Sequence, residues 1–246
     1  MAEPKKVLWV VNYNKLSWFI ERATFVKATA VAIRTDNDLE RAIPAFHDKG
    51  LQVYGWRWPS ARRDAAMREA DKVVGLLAKG LDGYYVDPEG HRDKKNRSLP
   101  DDWNQNGLER LAEDFCKAIT KADPSKPFGI TSHYRGKRTF GKLPWASFFK
   151  YSTVFLPQAY WRFEEGEIGH GIPEDNYRNS INFWAETGAP REKIVPMAGA
   201  LEYVTAAEIR AHVNEAKNQG IASLHFYDAT EKVKPGVWNA IAAAEN

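Results

Sequence analysis

Eight short β-rich runs follow one another along this chain, most of them separated by a stretch of helical periodicity. They are VLWVVNY (7–13), AVAIRT (30–35), LQVYGWRW (51–58), GYYVD (83–87), PFGITSHY (127–134), STVFLPQAYW (152–161), KIVPMAGAL (193–201) and SLHFYDA (223–229). Strands that alternate with helices join as parallel βαβ units, and strands covered on both faces read as nearly continuous apolar runs, as several of these do. Eight such units in 246 residues predict an α/β fold, a single (β/α)8 TIM barrel that takes up residues 1–246 as one catalytic domain. A doubly wound open sheet would need a glycine-rich phosphate loop after an early strand, and VVNYNKLSW carries no glycine. The unit between the first two strands is the weakest. KLSWFIERATFVKA is short for a full helix, so an irregular first βα unit is expected.

Barrels of this kind place their chemistry at the C-terminal strand ends. Those ends are polar and aromatic here: Asn12 and Tyr13; Arg34, Thr35 and Asp36; Trp56, Arg57 and Trp58; Asp87 and Glu89; His133 and Tyr134; Gln158, Tyr160 and Trp161; Glu202 and Tyr203; Tyr227 and Asp228. The opposite ends start with small or apolar residues. The polarity of the strands therefore predicts a polar, aromatic-lined cleft.

Within GLDGYYVDPEGHR, Asp87 and Glu89 stand two residues apart where the fourth strand runs out. Positions i and i+2 share a face in extended chain, so both carboxylates can look into the barrel mouth. Two carboxylates that close repel, and one of them holds a proton to higher pH. Glycoside hydrolysis uses such a pair, one group to protonate the leaving oxygen and one to steady developing positive charge. Pro88 between them fixes φ and stiffens the link. A helix cap or solvated turn is the plainer reading of the same residues.

Composition narrows the field. Nine tryptophans suit a sugar cleft, since flat apolar faces pack on pyranose rings. A net charge of +3 is no nucleic-acid signature, and the basic run HRDKKNR reads as a solvated loop. The lone Cys116 excludes an internal disulfide and reads as a small buried hydrophobe. No apolar run reaches the roughly 18 residues of a membrane span, and no signal peptide is visible at the N-terminus. The expectation is synthesis in the cytoplasm and action on a cell wall after lysis or specialised secretion. No P-loop, dinucleotide fingerprint or G-x-S-x-G elbow is present, and no cofactor is expected.

The layout resembles glycoside hydrolase family 25, the lysozyme-like muramidases. VDPEG stands where that family closes a strand with D-x-E, HDKGLQVYGWRW looks like its third-strand segment, and FLPQAYW like its sixth. The resemblance is strongest over residues 30–161. It implies Glu89 as proton donor, Asp87 as partner carboxylate, Gln158 and Tyr160 lining the sugar subsite, and Asp228 in place of the family's last-strand aspartate. Asn12 stands where the family usually has an aspartate on the first strand. There is a weaker likeness to family 18 chitinases, whose longer motif D-x-x-D-x-D-x-E finds Asp82, Asp87 and Glu89 but is broken at Tyr85. That family's route would let the substrate's own N-acetyl group attack, held by Asp87.

The expectation is a hydrolase of an amino-sugar polymer, peptidoglycan first. The alternatives are a glycan-binding barrel without turnover, or a hydrolase of another polysaccharide. Glu89 and Asp87 are the candidate catalytic residues. The candidate substrate contacts are Asn12, Arg34, Arg57, Trp58, His133, Tyr134, Gln158, Tyr160, Trp161 and Asp228. Arg34 and Arg57 are placed to pair with Asp87 or a substrate carboxylate, Trp56, Trp58 and Trp161 to stack on sugars, and Trp103 to cap the loop over the cleft. His91 and Arg92 are read at the cleft rim, His225 as buried, and His47, His170 and His212 as surface residues. A metal held by Asp87, Glu89 and His91 is conceivable, since carboxylate and imidazole suit several ions, but no second ligand pair has recognisable spacing.

Overall fold

The computed structural model describes residues 5–91, 99–164 and 166–244. Among the described residues there are ten strands: β1 (Lys6–Val10), β2 (Ala30–Arg34), β3 (Gln52–Arg57), β4 (Gly83–Val86), β5 (Phe128–His133), β6 (Val154–Gln158), β7 (Arg162–Phe163), β8 (Gly166–Glu167), β9 (Met197–Ala198) and β10 (Leu224–Phe226). The helices are α1 (Leu16–Phe25), α2 (Leu39–His47), α3 (Arg63–Ala78), α4 (Glu109–Ala122), α5 (Trp145–Phe149), α6 (Pro173–Thr187), α7 (Ala206–Asn218) and α8 (Pro235–Ala243). Eight strands pair in parallel and close in the order β1-β2-β3-β4-β5-β6-β9-β10, back to β1. This is the (β/α)8 barrel. The antiparallel pair β7–β8 is a separate ribbon between β6 and α6.

Alternation along each strand sorts the side chains. In β1, Val7 and Trp9 face the barrel interior, while Leu8 and Val10 join the layer under the helices. The interior is unusually aromatic. Tyr85 stacks between Trp9, at 5.3 Å, and Tyr54, at 5.0 Å. Small residues make room for these rings. A Cβ at Gly83 would come within 2.5 Å of the Tyr54 ring, so only glycine fits beside it.

Local signals set the helices. Asp38 accepts from the Arg41 amide at the start of α2, and Thr205 and Glu208 form a capping box on α7. Gly188 ends α6 with φ of 114°. Lys6 is buried at the base, where its Nζ donates to the carbonyls of Val26, at 2.9 Å, and Ile241, at 2.8 Å. Among the described residues no helix is long and apolar enough to cross a membrane.

Three expectations need correction. The first unit is regular: α1 runs ten residues and buries Leu16, Phe19 and Ala23, so its apolar face suffices without a side-chain cap. The weak unit lies between β5 and β6, where a 3-10 turn at Gly136–Arg138 and the five-residue α5 replace a full helix. There Trp145 and Phe149 pack on Trp184, so aromatic contact stands in for helix length. The seventh barrel strand is only Met197–Ala198, because Pro196 before it has no N–H for the ladder. His212 is not on the surface. It shares an α7 face with Ile209, Val213 and Ala216, is fully buried, and packs its ring on Trp161 and Tyr177.

Candidate active site

The end of β4 is tightly fixed. The Asp87 amide extends the ladder by donating to the Arg57 carbonyl at 2.8 Å, and Ser132 Oγ on β5 donates to the Pro88 carbonyl at 2.8 Å. Beyond it, the Glu89 carbonyl accepts from the Trp103 amide at 3.0 Å. A Cβ at Gly90 would lie 2.5 Å from Asn104 Cβ, so the chain turns there in close contact with the next loop. The two carboxylates are thus set by backbone on both sides.

Gln158, the last residue of β6, joins them. Its Nε2 donates to Asp87 Oδ1 at 3.0 Å and reaches Glu89 Oε1 at 3.4 Å. The oxygens concerned can be no farther apart than those two distances together. Asp87 is buried, and Glu89 keeps 28% of its side chain exposed, so Glu89 stands nearer the solvent. Burial first, and the Glu89 charge second, push the Asp87 carboxyl well above its usual range. Burial also raises Glu89, with His91 pulling the other way. The pair therefore retains a proton where free carboxylic acids have lost theirs.

A cleft of about 280 Å³ stands over the pair. Trp9, Thr131 and Met197 are on its floor strands, Trp56 and Trp58 on one wall, and His133 and Tyr134 on another. Trp56 anchors its indole Nε1 on the Val10 carbonyl at 3.0 Å. Tyr160 stacks on Tyr227 at 5.3 Å and 10°. Burial raises both phenols, with the carboxylates adding to it, so both remain protonated hydrogen-bond donors. Phe163 of the β7–β8 ribbon and Ile168 close the far side. His133 is pushed down to about 4 by burial, so it is a neutral imidazole at physiological pH.

Eight of the sequence candidates meet in this cleft: Asp87, Glu89, Trp56, Trp58, His133, Tyr134, Gln158 and Tyr160. Others do not. Arg34 and Arg57 pair with Asp36, at 2.5 and 2.6 Å, and not with Asp87. Asp36 is the nearer carboxylate at the rim; its burial favours the acid, but the two arginine hydrogen bonds outweigh that and hold it low. Asn12 belongs to the same rim network, accepting from Arg34 at 2.7 Å, and is exposed outside the cleft. Both guanidiniums lie against the Trp58 ring, at 4.9 and 5.4 Å. Trp161 points away from the sugar side. It follows Tyr160 on the chain, so it takes the opposite face and is fully buried against His212. Trp103 does not cap the cleft either; it is buried against Phe148, with its indole on the Pro59 carbonyl. Asp228 lies one residue beyond the cleft-lining Tyr227 and does not line it; burial first, then the Glu202 charge, raise its carboxyl to about 6. Asp82 is at the strand's other end, accepting from the Val53 amide and His47.

Tyr227, Trp9, Thr131 and Met197 were not among the sequence candidates. The period-2 alternation of HFYD puts Tyr227 inward and carried the signal for it; the other three sit within apolar runs, where nothing marks a functional role. His91 is exposed at the rim, 3.9 Å from Glu89, and Arg92 lies outside the described residues. Among the described residues no group of three or more His, Cys, Asp or Glu could hold a metal ion.

No family model matches the sequence, and no curated protein matches it. Solved structures do share the fold. The chain is similar to the glycoside hydrolase domain of PgaB (BpsB) from Bordetella bronchiseptica, at TM-score 0.68 and 12% identity over 98% of each chain. It is similar to a class V chitinase from Pseudomonas fluorescens, at TM-score 0.66 and 11% identity, covering 98% of this chain and 99% of that one. The glycoside hydrolase domain of PelA from Pseudomonas aeruginosa gives TM-score 0.56 and 11% identity, over 92% and 95% of the two chains. At these identities the likeness establishes the (β/α)8 barrel they have in common.

Proposed function

We propose that the protein is a glycoside hydrolase of an amino-sugar polymer, with peptidoglycan the first substrate to test. One observation carries the reading: Asp87 and Glu89 converge on the Gln158 amide beneath an aromatic cleft at the C-terminal mouth of a (β/α)8 barrel. The barrel domains of PgaB and PelA and the class V chitinase, described as glycoside hydrolases or a chitinase, support it as analogues. A route to the cell wall by lysis or specialised secretion belongs to the same proposal.

Glu89, the more accessible of the pair, gives the shared proton to the glycosidic oxygen as the C1–O bond breaks. Asp87, at the floor, faces the developing positive charge, or orients a 2-acetamido group whose carbonyl oxygen attacks C1. Water then attacks C1, with Glu89 now acting as base. Gln158 sets the distance between the two carboxylates. Tyr160 and Tyr227 offer phenol donors to the same sugar, and Trp58 offers a flat face. Water exclusion by the aromatic walls keeps these interactions strong.

The test is reducing-end release from purified peptidoglycan and from chitooligosaccharides, wild type against Glu89→Gln. Loss of a general acid lowers the rate by about 10²–10⁴-fold, with sugar binding retained. Equal release by both proteins would overturn the assignment of Glu89. Binding without release by either would favour a glycan-binding barrel.

A further inference from the structure

Trp58 and Glu89 each face two cavities. The second, of about 580 Å³, opens on the other side of Glu89 against α3. Asp87 and Gln158 line only the first cavity, so a sugar whose C1 reacts sits there. The second cavity is then where the sugar across the bond, on the leaving-group side, must go. Its chemistry differs. Beside the apolar Trp58, Pro59, Ala65 and Leu99 it carries charged and polar groups, among them Arg57, Arg68, Lys72, Ser60 and His91.

The carboxylates of this cavity already have partners. Asp101 is engaged by Arg62 and Ser60. Asp102 accepts the His91 amide at 2.6 Å and the Leu99 amide at 2.9 Å. Glu69 accepts from Thr35 at 2.5 Å and is held in its acid form to higher pH by burial. Arg57 is tied to Asp36. Arg68 and Lys72 are less engaged, although the Lys72 charge acts on Glu69. One turn apart on α3, they share a face, and both are exposed. Among the described residues neither forms an ion pair within 4.0 Å or a side-chain hydrogen bond.

We propose that the second cavity receives the leaving-group sugar and that Arg68 and Lys72 select a carboxylate on it. This rests on the glycosidase reading above. The ligand chemistry is a sugar bearing an anionic carboxyl group, either a lactyl ether or a uronic acid. The first cavity, without a cation on its walls, takes a sugar that has no such charge.

Calorimetric titration of Glu89→Gln tests this at low salt with three probes: chitotetraose, a peptide-free glycan strand from peptidoglycan, and a tetramer that alternates a uronic acid with N-acetylglucosamine. Adding Arg68→Gln and Lys72→Gln should weaken carboxylated oligomers about threefold for each cation and about tenfold for both, with chitotetraose changing less than twofold. The loss should shrink as salt rises. A preference for the peptidoglycan strand identifies the lactyl carboxyl, and a preference for the tetramer the uronic acid. Equal losses for neutral and carboxylated probes, or no loss for any, overturn the inference and leave the glycosidase reading standing. If the Glu89→Gln protein binds no probe and the wild type releases no reducing ends, the glycosidase reading falls with it.

Discussion

Replacing His212 with glutamine removes a proton acceptor that the native fold keeps empty. Burial lowers this imidazole from 6.5 to about 3. The depressed value means that the unfolded chain binds the proton first. The stability is present in full above about pH 6.5 and is lost progressively as pH falls toward 3. Integrating between pH 7 and pH 5 gives a loss of about 2 kcal/mol from this one residue. His225, also lowered to about 3 by burial, adds a similar loss. Raised carboxyls such as Asp228 work in the opposite direction, so the net slope of the wild type is smaller than the two histidines alone would give. The variant isolates one part. Its packing cost is the same at both pH values and cancels when the two stabilities are subtracted. Urea unfolding of both proteins at pH 7 and pH 5 supplies the four numbers. The wild type should lose about 2 kcal/mol more than His212→Gln over that interval. Equal losses would mean that His212 is protonated inside the fold, and the argument from burial would fail.

Gln158→Leu removes the hydrogen bond that lowers both carboxyls, so the alkaline limb of the pH–rate profile should move to higher pH as kcat falls. Asp87→Asn should cost activity but stabilise the fold: a carboxyl raised by burial favours the native state only while protonated, and that advantage is lost as pH rises. The gain, of order 1 kcal/mol or about 2–4 °C in Tm, should be larger at pH 8 than at pH 4 by thermal melts. Gly199→Ala would put a Cβ 2.6 Å from the Tyr160 ring and 2.8 Å from the Tyr227 carbonyl, so the stacked pair must shift. Turnover should fall by an order of magnitude or more with little change in circular dichroism; unchanged kinetics would show that the pair does not shape the cleft.

The barrel was legible because eight runs separated by helical stretches admit few other topologies, and because the strand ends differ so clearly in polarity. Asp87 and Glu89 were legible for the same reason, since i and i+2 at a strand end share a direction. Rotations of a single residue were harder. Tyr160 and Trp161 are neighbours with opposite destinations, and only the register of β6 against β5, with Gln158 beside His133, decides which enters the cleft. His212 needed the α7 periodicity to be carried through a polar residue, where composition alone says surface. Arg34 and Arg57 were placed at the right rim, but the pairing offered with Asp87 is replaced by one with Asp36, which lies in a turn whose path no local pattern encodes. The second cavity is assembled from β3, α3 and the residues after β4, and no segment of sequence announces such a meeting.

The buried Lys6 has a consequence for how this protein can be handled. Its ammonium ties the foot of β1 to the end of α1 and the last turn of α8, so both described ends of the chain lie on the face opposite the mouth. A tether, tag or neighbouring module attached at either end would hang from the underside of the barrel. Immobilised on a bead or a sensor surface through that side, the protein would present its cleft outward, open to a polymer too long to diffuse beneath it.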